Sequence, residues 1–314
     1  MRKISDLIIA LLVSGLTLFL TGCPAAAPSP APGAEHIDVV TTIFPLADIV
    51  QELGGEKAAV TGLLPVGASP HDFEPAVGQI KAVSQASLFV YMGGGLDDWA
   101  APAARSEAGE ILMLELYEAA LAQGWQPPPG LPAGSSAEPA HGALNPHLWL
   151  DPLTVRDYLC PAITGALVEA DGKNEAYYRS RLAAYQAALT DLDAGLRAEL
   201  SALPQKSFVS LHAAWHYFAD RYGLDEAAVI TDFPGQEPSA AALGSLVDFC
   251  RERGITVVSA EPQFPEQIAD TIAREIGGRV VLLDPLGGGG LEGRESYLDL
   301  MRYNAAVLKD ALSK

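Results

Sequence analysis

From residue 37 to the C-terminus, short runs of Val, Ile, Leu and Phe alternate with stretches whose apolar residues recur every three or four positions. The short runs predict strands and the longer periodic ones predict helices, so the chain reads as an α/β protein with mainly parallel sheets. The first predicted strand is 37–43, and Pro45 opens a helix that stops near Gly54. Further strands are predicted at 60–64, 88–92 and 111–115. Residues 123–146 carry six prolines and no periodicity, which predicts a surface loop. Asp151-Pro152 then starts a helix, with a carboxylate at the cap and proline in the first turn.

A different pattern occupies residues 174–203. Tyr178, Leu182, Tyr185, Leu189, Leu192, Leu196 and Leu200 keep a helical period throughout and Pro204 ends it. At 1.5 Å per residue this is one helix of about 45 Å. Beyond it the alternation resumes. Strands are predicted at 208–211, 255–259 and 280–283, and helices from Ala213 to Gly223, from Ser239 to Arg253, from Pro265 and at the C-terminus. The expected organisation is a first α/β lobe over 37–173, the linking helix over 174–203 and a second α/β lobe over 204–314. About 280 residues are more than one compact core usually organises, which agrees with two lobes.

The first 22 residues predict a signal peptide rather than part of the fold. Arg2 and Lys3 precede a 14-residue, mostly apolar run from Leu7 to Leu20, too short for a spanning helix of ~20 residues. Leu20-Thr21-Gly22-Cys23 resembles a lipobox, so Cys23 is the expected lipidation site and the mature protein is expected outside the cytoplasmic membrane, anchored to it. Residues 23–36 form a tether rich in proline and alanine, suited to semi-rigid spacing. The formal net charge of −19 argues against nucleic acid or anionic lipid as a binding partner. Cys160 and Cys250 fall in separate amphipathic stretches and read as two buried thiols.

Against this frame four residues draw attention: His71, His147, His212 and Asp284. They are 76, 65 and 72 residues apart, each at or just beyond the carboxyl end of a predicted strand, where open α/β sheets place their binding crevices. Neutral imidazoles and a carboxylate suit Zn²⁺, and four protein ligands describe a storage or transport site better than a catalytic one. Spacing alone does not bring the four together.

Seven phrases carry a resemblance that does. They are Thr42-Ile43-Phe44-Pro45-Leu46, Pro70-His71-Asp72-Phe73-Glu74-Pro75, Asn145 to Pro152, His212-Ala213-Ala214 with Tyr217 to Leu224, Glu237-Pro238-Ser239, Glu261 to Phe264, and Leu283 to Gly287. In this order they resemble the zinc- and manganese-binding solute-binding lipoproteins of metal ABC transporters, over nearly all of residues 37–314. The resemblance implies two lobes joined by one long rigid helix, with the metal in the interlobe cleft. It also implies His71, His147, His212 and Asp284 as metal ligands, Zn²⁺ as the transported ion with Mn²⁺ as the alternative, and an ABC permease as partner of a monomeric receptor. Relatives associated with manganese commonly carry a carboxylate where this chain has His212, which gives the zinc-type set.

Two departures stand out. Zinc-type relatives often carry a histidine- and acid-rich loop before the second ligand, whereas the matching stretch here has only His141. His216 stands one helical turn from His212, where relatives usually have a small residue, and is read as a residue of the packing or one that supports a ligand from behind. Asp72, Glu74, Asp151 and Glu261 are candidates to orient an imidazole. A zinc hydrolase is the alternative of another class, but no HExxH occurs and an enzyme is not expected. A surface adhesin is a further alternative. Because metal competes with protons for imidazole, affinity is expected to fall as pH drops through about 6.5.

Overall fold

The computed structural model describes residues 36–105, 111–128, 145–231 and 238–313. The first lobe contains β1 (Ile37–Thr41), α1 (Phe44–Gly54), β2 (Ala58–Gly62), α2 (Val77–Gln85), β3 (Leu88–Tyr91), α3 (Ala100–Arg105), β4 (Leu112–Glu115) and α4 (Leu116–Ala122). After a single 3₁₀ turn at Leu148–Leu150 come α5 (Pro152–Thr154) and α6 (Cys160–Ala170), joined by a π-helical turn at Val155–Leu159. Then α7 (Glu175–Leu200) runs as one helix of 26 residues. The second lobe follows with β5 (Ser207–Ser210), α8 (His216–Tyr222), β6 (Asp225–Val229), α9 (Ala240–Arg253), β7 (Val257–Ala260), α10 (Gln267–Ile276), β8 (Arg279–Leu282) and α11 (Tyr297–Leu312).

Each lobe holds four parallel strands, in the order β2-β1-β3-β4 and β6-β5-β7-β8. The second lobe thus repeats the strand order of the first. In both, successive strands are added first on one side of the first strand and then on the other, and the crevice at such a switch point lies beyond the carboxyl ends of the strands. This is the expected fold class, two α/β lobes with a long helix between them.

The core explains why the helix matters. Tyr178, Tyr185, Leu189, Leu192, Leu196 and Leu200 of α7 are buried in a cluster that also takes Leu46, Ile49 and Leu53 of α1 and Met301, Leu308 and Leu312 of α11. The four leucines on this face each contribute about 1.5–3 kcal/mol by leaving water. Since α1 belongs to the first lobe and α11 to the end of the chain, both lobes share this core. A separate cluster lies on the far face of each sheet, one around Phe89 and Tyr91 and one around Val209, Val258 and Ile272. Polar links add to the shared core: the N–H of Tyr297 donates to Asp48 on α1 at 2.7 Å, and Trp149 Nε1 donates to the carbonyl of Pro285 at 2.7 Å.

Several expectations need correction. α4 and a long connection separate His147 from β4, and a 3₁₀ turn follows it. His147 therefore does not stand at a strand end. β6 goes unpredicted because it begins Asp225-Glu226, which does not look like a buried strand. Glu226 is nevertheless buried, accepting from Ser210 Oγ at 2.5 Å and from the Trp215 N–H at 3.3 Å, and burial pushes its carboxyl up to about 8. α2 goes unpredicted because Val83 is its one buried residue, too little to give a period. α8 starts at His216 and not at Ala213, so His212 lies before the helix and the pair is not one helical turn apart. Cys160 and Cys250 are free and buried, as expected. No helix among the described residues is long and apolar enough to cross a membrane. Cys23 and His141 lie outside the described residues.

Candidate metal centre

His71 lies in the loop after β2, fixed by bonds on both sides. Its N–H donates to Ser69 Oγ at 3.3 Å, and Trp99 Nε1 donates to the carbonyl of Pro70 at 2.9 Å, with the Trp99 ring edge-on to Phe73. His212 lies between β5 and α8 in the second lobe. His147 is held from both sides of the cleft. Asn145 Oδ1 accepts from the His147 N–H at 3.0 Å, Asn145 Nδ2 donates to the carbonyl of Ala213 at 2.7 Å, and Tyr217 Oη donates to the carbonyl of Asn145 at 2.6 Å. The histidines of the two lobes are thereby tied to one frame.

Three of the four predicted residues converge. One ligating atom from each of His71, His147 and His212 lies within 4.8 Å of the others, and the ring centroids are 5.1–5.6 Å apart. Trp149, Glu261, Phe264 and Leu286 help to enclose them around a cavity of about 10 Å³, room for a single ion or water.

Their tautomers follow from their partners. The Nδ1 of His147 is 2.8 Å from Asn145 Oδ1, and the Nδ1 of His212 is 2.7 Å from Glu261 Oε1. Both partners are acceptors, and the Asn145 amide is oriented by its own two backbone contacts, so each Nδ1 carries the proton and each Nε2 an exposed lone pair. Those two Nε2 atoms face each other at 3.3 Å. Two lone pairs at that separation repel unless a cation stands between them. Ligand nitrogens on a tetrahedral zinc, with bonds of about 2.0–2.1 Å, stand roughly 3.3 Å apart. His71 Nε2 is buried and has no hydrogen-bond partner among the described residues. These three rings could hold a metal ion.

Burial and the neighbouring imidazoles reinforce that state. Burial lowers the pKa of His71 to about 3 and that of His147 well below 6.5, and a proton on a neighbouring imidazole, His212 for both and His71 for His147, adds to the shift. Both rings are thereby held neutral below the ordinary imidazole range.

Asp284 stands differently. It is buried just beyond β8, but it is not in the group of ligating atoms within 4.8 Å. Its Oδ1 accepts from the N–H groups of Leu286 and Gly287, both at 3.0 Å, and from Gln263 Nε2 at 3.2 Å, while Oδ2 accepts from Arg294 at 2.8 Å. Gly287 reaches this position with φ +67°, where a Cβ would sit 3.0 Å from the carbonyl oxygen of Arg294.

The chain matches the family described as "Zinc-uptake complex component A periplasmic" over residues 39–311. It belongs to that family. Among curated relatives it is 31% identical over 283 residues to the high-affinity zinc uptake system protein ZnuA of Bacillus subtilis, covering 88% of each chain. It is 26% identical over 304 residues to the manganese-binding lipoprotein MntA of Halalkalibacterium halodurans, covering 95% of this chain and 96% of that one. Among solved structures, a crystal structure of ZnuA aligns with a TM-score of 0.76 at 32% identity, covering 88% of this chain and all of the other. The family is one of metal-uptake receptors rather than enzymes, and its setting is extracytoplasmic.

The hydrogen bonds also give the quoted phrases physical roles. Asn145 orients His147, and Glu261 orients His212. Asp151 caps the following helix, accepting from the Leu153 N–H at 2.9 Å and Thr154 Oγ1 at 2.8 Å. Thr42 donates to the buried Asp97 at 2.5 Å, which also accepts the N–H groups of Met92 and Gly93 and so holds the strand ends of the first lobe together. Asp72 and Glu74, by contrast, are exposed, and His216 stands outside the trio. Sequence reasoning missed Asn145 and Trp99 as positioning residues. A proline-flanked Asn two residues before a candidate ligand was the available signal for the first.

Proposed function

We propose that this protein is an extracytoplasmic zinc receptor, anchored through Cys23, that captures Zn²⁺ with Nε2 of His71, His147 and His212 and delivers it to an ABC permease. Asp284 supplies the carboxylate that completes the set. The observation that carries the reading is the 3.3 Å approach of two proton-free nitrogens, with Nδ1 of each ring committed to an acceptor. A family of zinc-uptake components and a relative named for high-affinity zinc uptake support the same cargo. So does donor chemistry, since imidazole suits Zn²⁺ better than Mn²⁺, which favours oxygen.

The manganese-binding relative favours Mn²⁺ as the second reading. Titrating the chelator-treated mature protein with Zn²⁺, alone and against Mn²⁺, separates the two. One equivalent of Zn²⁺ that displaces Mn²⁺ is expected. Preference for Mn²⁺ would overturn the cargo, and no binding of either ion would overturn the function. Loss of membrane association in Cys23→Ala is the matching test for the anchor.

A further inference from the structure

Resting on that reading, we propose that Arg294 is a built-in competitor for the metal: it holds the Asp284 carboxylate in the metal-free receptor and so limits how tightly zinc is retained. The two oxygens of Asp284 are unequal. Oδ1 takes three donors, two of them backbone N–H groups of its own turn, and is committed to the fold. Oδ2 has Arg294 as its one hydrogen-bond donor among the described residues, at 2.8 Å, and is the less committed of the two oxygens. The ion pair is sheltered, with 1% of the Asp284 side chain and 17% of the Arg294 side chain exposed. Its electrostatic strength is correspondingly greater than that of a surface pair.

The guanidinium is held in a way that lets it yield. It offers Asp284 one nitrogen rather than a two-pronged fork, and its Nε is buried with no partner among the described residues. Its central carbon lies 4.8 Å over the ring of Tyr303, a resting place that remains when the carboxylate turns away. Arg294 also closes the glycine turn after β8, where its carbonyl accepts from the Gly288 N–H at 3.2 Å. A shift of the side chain therefore need not move the backbone that holds Oδ1. Zinc arriving at the histidines draws Oδ2 toward a second positive centre, and either the arginine gives up the oxygen or the carboxylate stays a weaker donor. Both outcomes lower retention of zinc, which suits a receptor that must give up its cargo.

The test measures zinc affinity by chelator competition and zinc release by stopped flow on the mature protein, in Arg294→Met, Arg294→Lys, Asp284→Asn and the Asp284→Asn/Arg294→Met double variant. Arg294→Met is expected to bind zinc about tenfold more tightly, the size of one charge-assisted hydrogen bond, mainly through slower release. Arg294→Lys, which keeps the charge, is expected to stay near wild type. With Asp284→Asn already present, adding Arg294→Met is expected to change little. Unchanged or weaker binding in Arg294→Met would overturn the proposal, as would equal tightening with and without Asp284. Should Arg294→Met not fold, Arg294→Gln carries the same expectation and the same refutation. Absence of zinc binding in the wild type would defeat the function itself. Normal wild-type binding with a neutral Arg294→Met would defeat this inference alone.

Discussion

The histidine trio and Asp284 were one pattern in the sequence, yet the structure prepares them in opposite ways. His147 and His212 each turn an Nε2 without a proton toward the other, at a separation that only a cation makes comfortable, and the buried Nε2 of His71 has no partner among the described residues. Asp284 has four donors among the described residues, one of them the counter-charged Arg294, before any ion arrives. On the proposed reading, capture falls to nitrogen atoms that gain a partner, and retention is moderated by a carboxylate that must partly lose one.

The largest way to break this comparison is to remove a nitrogen. His212→Ala is expected to weaken zinc binding more than about a hundredfold, beyond the 10–100-fold usual for an outer partner of a metal ligand, as read by chelator competition. Glu261→Gln leaves His212 in place but removes the charge behind its Nδ1–H, and is expected to cost about 10–100-fold in the same assay. Equal losses from the two variants would deny His212 a direct role.

The trio can also be probed without metal. His71 and His147 have native pKa values below that of the unfolded chain, so between the two the unfolded state binds more protons. Stability of the metal-free protein is then full above pH 6.5 and declines as pH falls toward 3. Between pH 6.5 and 5 the expected loss is about 1–2 kcal/mol per histidine, measurable as a drop in the denaturation midpoint. A midpoint indifferent to pH over that window would contradict the burial assigned to the pair. The smallest effect belongs to Asp284→Asn, expected at about tenfold in affinity because Oδ2 is already engaged by Arg294. A loss as large as that of His212→Ala would erase the distinction between the two regions.

How much of this the sequence could show depended on range. The α7 period is local: seven apolar residues at helical spacing announce the helix, and the structure buries most of them. The strands with β-branched runs were legible for the same reason. β6 was not, since the burial of Glu226 depends on Ser210 and on the Trp215 N–H, neither of which is its neighbour in sequence. At the site, histidine identity and the resemblance pointed to the trio. The state of each ring rests on contacts 49 residues apart for His212 and Glu261, and on an Asn145 amide that bonds Ala213 across the cleft. Arg294 was invisible as a partner of Asp284, because an arginine ten residues past a candidate ligand in a glycine-rich turn carries no periodic signal.

X-ray absorption at the zinc edge, on mature protein loaded with one equivalent of zinc, tests the central claim most directly. Three imidazole nitrogens at about 2.0–2.1 Å, reduced to two in His212→Ala, is the predicted result. Fewer than three imidazoles in the wild type, or a signal unchanged by that substitution, would contradict it.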